Sequence, residues 1–107
     1  MMGNAGNMGK MMKQVQKMQA DMARIQEELA QRTVEGLAGG GAVRVTVSGA
    51  QEIKGVELLP EVIDPEEREM LQDLLVVAIN DGIRRSQELA AEEMAKVTGG
   101  LKMPGLF

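Results

Sequence analysis

The sequence predicts an α+β domain: a long N-terminal helix, a three-stranded antiparallel sheet and a long C-terminal helix. Three observations carry this. Apolar residues recur at alternating steps of three and four through residues 8–29. They alternate with polar residues around positions 43–48. They return to helical spacing after Asp64. At 107 residues the chain fits one domain, with residues 1–9 and 99–107 expected as flexible tails.

Residues 1–9 carry three Gly and two Asn, a costly segment to order. A helix is then predicted from about Lys10 to Gln31. Met8, Met11, Val15, Met18, Met22, Ile25 and Leu29 form an a/d heptad stripe. The intervening Lys, Gln, Glu, Ala and Arg are good helix formers.

The centre changes period. Thr33–Ala38 reads as a first strand weakened by Gly36, and Gly39-Gly40-Gly41 as a turn. Val43, Val45 and Val47 alternate with Arg44, Thr46 and Ser48, the pattern of a half-buried strand. Ile53 to Leu59 reads as a third strand with Val56 and Leu58 on one face, stopped by Pro60. The short connections imply an antiparallel meander.

Asp64-Pro65-Glu66-Glu67 is a helix start. Asp64 caps, Pro65 suits the first helical position, and Glu67 completes a capping box. The second helix is predicted from Pro65 to about Val97. Leu71, Leu74, Leu75, Ala78, Ile79 and Ile83 form its stripe, and Gly82 suggests a close backbone approach. Helices of ~22 and ~33 residues span ~33 and ~50 Å, more than a compact domain of this size. Both helices should project beyond the sheet, and a projecting apolar seam must meet another helix, in the same chain or in a partner; a two-fold homodimer is inferred.

Composition excludes several functions. The chain has no Cys, His, Trp or Tyr, and its one aromatic residue is Phe107. Thiolate metal sites, His-based acid–base catalysis and aromatic base stacking are excluded. Ser48 and Ser86 have no His partner, so enzymatic activity is not expected. The Gly39–Gly41 run precedes a strand and lacks a following Lys-Ser/Thr, so it is no phosphate loop. The acidic cluster Glu61, Asp64, Glu66, Glu67 and Glu69 suits a helix N-terminus, and neither a metal nor another cofactor is expected. No apolar run reaches membrane-spanning length and no signal peptide is evident, so a cytoplasmic protein is expected.

The net charge of −4 is unevenly spread: +3 over residues 1–24, −6 over 25–70 and −1 over 71–107. Lys10, Lys13 and Lys17 share one helical face, near Gln14, Gln16 and Gln19. A solvated face is the simpler reading, and phosphate contact the sharper one. Arg84 and Arg85 lie within a turn of Asp81 and Glu88, where structural ion pairs are the default and DNA or partner contact the alternative. The polar block Asn80-Asp81 inside an apolar helix suggests a change of surroundings such as a subunit boundary. The methionine stripe is most simply an adaptable core, and otherwise a surface for docking on partner proteins.

Several stretches resemble a known family: Met11-Met-Lys-Gln-Val-Gln-Lys-Met-Gln19, Gly41-Ala-Val-Arg-Val-Thr-Val-Ser-Gly-Ala50, Glu69-Met-Leu-Gln-Asp-Leu-Leu75, Ala78-Ile-Asn-Asp-Gly-Ile-Arg-Arg85 and Lys102-Met-Pro-Gly105. Together they are similar to the YbaB/EbfC family of bacterial nucleoid-associated proteins, in order and across nearly the whole chain. The resemblance implies a tweezer-like homodimer joined through its centre. It also implies binding of double-stranded DNA by projecting helical arms, a nucleoid location and an influence on gene expression. It places DNA contact on Lys10, Lys13, Lys17 and Arg24 of the first helix, with Arg84, Arg85 and Lys96 as secondary positions. A non-enzymatic module whose Met-rich helices dock on other proteins is the alternative.

Overall fold

In a computed structural model, residues 2–98 are described, with side chains from Met8 to Val97. The segment 99–107 expected as a tail lies outside the described residues. The order is α1 (Met2–Gln31), β1 (Thr33–Ala38), β2 (Val43–Ser48), β3 (Ile53–Leu58) and α2 (Arg68–Thr98). Short 3-10 turns occupy Gly39–Gly41, Pro60–Val62 and Pro65–Glu67.

One boundary differs clearly from expectation. The helix starts at Met2 rather than near Lys10, so residues 2–9 form its first turns instead of a tail. Each of the three glycines costs ~1 kcal/mol relative to alanine, but a helix already nucleated gains one hydrogen bond per residue added. At the start of the second helix, the Asp64 carboxylate accepts from the Glu66 N–H at 3.0 Å. The turn Pro65–Glu67 is 3-10, so α2 proper begins at Arg68. Tightened first turns are common at helix termini.

The sheet is an antiparallel meander in the order β1-β2-β3. The turn between β1 and β2 needs glycine, because Gly39, Gly40 and Gly41 all have φ between 62 and 95°. Val45 opposes Gly36 on one side and Val56 on the other, and Val43 opposes Leu58. The valines of β2 therefore share a face with Val56 and Leu58, as their alternation predicts. An irregularity at Thr46/Val47 shifts the register so that Ile53 opposes Val47.

α2 lies across this face. Val43, Val45 and Val47 are fully buried against Ala78 and are joined by Ala38 and Val62. Leu71, Leu74, Leu75 and Ile79 pack around them, as the helical stripe predicts. The helix comes closest to β1 at two glycines. A Cβ on Gly36 would overlap the Ala78 carbonyl oxygen and the Gly82 backbone, and one on Gly82 would sit 2.7 Å from Val47 Cγ2. The mid-helix glycine thus has the steric role its position suggests.

α1 joins this body only at its C-terminal end. Ile25 and Leu29 are buried, and the Gly49 N–H donates to the Arg32 carbonyl at 2.9 Å. The Arg32 guanidinium reaches Glu93 on α2 at 2.8 Å. Every residue from Met8 to Lys17 is exposed. The helix projects as an arm, and the molecule extends 77 Å along its longest axis.

Candidate nucleic-acid interface

The arm positions the first three lysines. In the heptad they occupy the outward positions: Lys10 and Lys17 are at c and Lys13 is at f, opposite the Met8–Met11–Val15 seam. All three are exposed and none has an ion-pair partner among the described residues. The sequence holds no acidic residue before Asp21. The arm is therefore a uniformly positive rod on an otherwise acidic protein.

The other four candidate cations are engaged. Arg24 sits between Asp21 at 3.8 Å and Glu28 at 3.3 Å on its own helix. Arg84 pairs with Asp81 at 2.6 Å and Glu88 at 3.0 Å, and Arg85 reaches Asp81 at 3.1 Å. Lys96 bonds to Glu93 at 3.0 Å, the carboxylate that also receives Arg32. Lys17, Arg24 and Lys96 come together along an open cleft where α1 passes the end of α2. Asp21, Glu28 and Glu93 line the same cleft, so its field is mixed. Arg84 and Arg85 stand apart, roughly 17 Å back along α2 from Lys96 at ~1.5 Å per residue.

Asp81 explains the polar block in α2. Its carboxylate accepts from the Leu37 N–H of β1 at 3.1 Å as well as from both arginines. The block is thus a tie between helix and sheet within one chain, and needs no subunit boundary. The Leu37 amide, then Arg84, holds the Asp81 carboxyl below its ordinary value, and Asp81 in turn raises Arg84. Lys96, then Arg32, lowers Glu93 in the same way. Both carboxylates are thus committed to ion pairs, and the three arm lysines stay outside this pairing.

Two unpaired cations among the described residues escaped the sequence reading. Arg44 and Arg68 are exposed and have no ion pair among the described residues. Arg44 opposes Glu57 across the sheet, and Arg68 follows Glu66-Glu67. Their acidic neighbours weaken both for phosphate. The Arg32–Glu93 clamp was also missed, since nothing in the local pattern couples positions 61 residues apart. No group of three or more acidic residues placed to hold a metal occurs among the described residues.

A model of the YbaB/EbfC DNA-binding family matches residues 2–101. The chain belongs to that family. Two relatives are each named a nucleoid-associated protein and match over the full length of both chains. One, from Desulforamulus reducens, is 64% identical, and one from Pelotomaculum thermopropionicum is 57% identical. A crystal structure of an uncharacterized Helicobacter pylori protein superposes with a TM-score of 0.68 at 22% identity, covering 82% of this chain and 89% of that one. That likeness establishes the shared fold. Within this YbaB/EbfC member, no helix among the described residues is long and apolar enough to cross a membrane.

Proposed function

We propose that this protein is a nucleoid-associated, DNA-binding homodimer that grips duplex DNA with the lysine face of its projecting arms. Family membership and the names of its relatives support the DNA-binding and nucleoid assignments. The observation that carries the arm assignment is the contrast among its cations. Lys10, Lys13 and Lys17 have no ion-pair partner among the described residues, although Lys17 shares its cleft with Asp21 and Glu93, whereas Arg24, Arg84, Arg85 and Lys96 are already bonded to carboxylates. A phosphate must displace those carboxylates before it can use them, so they rank second. The reading is of a binding protein, with sequence preference left to the shape and edges of the DNA.

The dimer has its own support. α2 covers β1 and β2 but leaves the β3 side of the same face open, where Val56 is 47% exposed. Ile53 beside it and Val76 and Val77 on α2 are exposed as well. A second copy placed over β3 buries this apolar strip by a two-fold interface. Such a dimer presents six arm lysines. Neutralising ~6 phosphates gives a log–log salt slope near ~−5. The test is a titration of labelled duplex DNA at several salt concentrations, with light scattering for mass. Lys10→Glu, Lys13→Glu and Lys17→Glu together should abolish binding and leave mass unchanged; full affinity in that triple variant would sink the arm assignment.

A further inference from the structure

The face of α1 opposite the lysines is unused by the DNA reading. Met8, Met11, Met12 and Val15 are 64, 64, 62 and 51% exposed, and with Gln16 and Gln19 they line a shallow apolar groove on the arm. An apolar stripe on a single projecting helix leaves its hydrophobic area in water.

We propose that this seam is an interface between copies of the protein: the arm of one chain packs along the arm of another, back to back, with the lysines outward. Two observations point to a second copy as the occupant. The first is register. Residues 8, 11, 15 and 18 hold the a/d spacing of a helix that pairs with a helix of the same repeat. A copy of α1 offers that repeat, while the described part of α2 flanks the arm only from Gln14 onward. The second is charge. Across residues 8–19 the flanking e and g positions are Met12, Gln14 and Gln19, all uncharged, with the first charge at the next g position, Asp21, and Lys10, Lys13 and Lys17 point away. Over that stretch two identical positive arms meet without like charges facing each other. A nucleic acid, by contrast, is drawn to the lysine face and leaves the seam bare.

The paired stretch is only about two heptads, so the association is weak for one pair of arms and depends on protein concentration. It is separate from the β3 surface and does not rest on the dimer assigned there. If both interfaces form, arms from different dimers interlock and two duplexes are held on opposite sides of each arm pair.

The test uses the full chain, which has no cysteine. A Met11→Cys/Val15→Cys variant reports pairing in either helix direction under mild oxidation, and an Ala20→Cys/Ala23→Cys variant on the outer face is the control. Intermolecular disulfides in the first and few in the second are expected. In parallel, sedimentation velocity over a concentration series compares the wild type with Met8→Gln/Met11→Gln/Val15→Gln, all at exposed positions, with helicity checked by circular dichroism. The triple variant should lose the largest, concentration-dependent species and keep its affinity for a single short duplex. Equal cross-linking of seam and control, or unchanged self-association in the glutamine variant, overturns the proposal. Absence of duplex binding by the wild type would instead strike the DNA reading and leave the cross-linking result to stand.

Discussion

At the scale of single residues, polar groups set the geometry as much as the core does. Ser86 is fully buried and its hydroxyl donates to the Ser48 carbonyl at 2.6 Å, while the Ser48 hydroxyl accepts from the Ala50 and Glu52 amides. The bond ties α2 to the end of β2. Ser86→Ala should cost ~1 kcal/mol, because the Ser48 carbonyl keeps the Gln51 amide as a second donor. Chemical denaturation would show it as a lower midpoint with an unchanged slope. Asp81 makes a different prediction. Its carboxyl is held below the ordinary value, so its contribution is complete above the unfolded pKa and is lost as pH falls through the folded one. Glu93 acts in the same direction. Thermal melts should therefore be flat near neutrality and fall on the acid side of the usual carboxylate range. Asp81→Asn should lower stability at neutral pH and reduce that acid dependence; an unchanged acid limb would remove Asp81 as its source.

At the scale of elements, the contact between α2 and β1 is set by absent side chains. Ala favours helix over Gly by ~1 kcal/mol, so Gly82→Ala looks stabilising when α2 is taken alone. The new methyl, however, meets Val47 Cγ2 at 2.7 Å, and Val47 has no exposed surface toward which to move. Overpacking of this kind costs ~1–3 kcal/mol, so the net effect should be a loss of stability. Gly36→Ala should be worse, because its methyl strikes the backbone of Ala78 and Gly82, which cannot rotate aside. Melting both variants beside the wild type checks the order. A Gly82→Ala protein more stable than its parent would show that helix and sheet can separate without cost.

At the scale of the molecule, an acidic protein binds an acidic polymer by keeping its charges apart. The pI of 4.9 is an average over a positive arm and a negative body. The average opposes DNA only if the body lies against it, and under the proposed arm assignment the arm holds the body away. Under that assignment each arm lysine acts as a phosphate contact. Lys13→Gln should reduce the magnitude of the salt slope by ~0.9 per copy and weaken binding alike for different sequences. Arg84→Gln should do neither, and should lower the melting temperature slightly instead, because Glu88 loses its partner and Asp81 one of its three donors. A reversed pattern, with Arg84 controlling the slope, would move the interface from α1 to α2.

The sequence by itself determined the order of elements, the faces of the strands, the helix start at Asp64 and the family. Each of these is written in spacing: valines at every second position, leucines at three and four, Asp-Pro before a helix. It also placed the three arm lysines on one face. The tertiary structure decided which of the seven candidate cations are open. That depends on Asp81 and Glu93, whose partners Leu37 and Arg32 lie 44 and 61 residues away. It also decided that the polar block in α2 is an internal tie, and that β3 and the arm seam are left uncovered by the described residues. Local patterns encode what a segment buries. What it is buried against is set only when distant segments pack, because hydrogen bonds and steric contacts act over ångströms in space, whatever the separation along the chain.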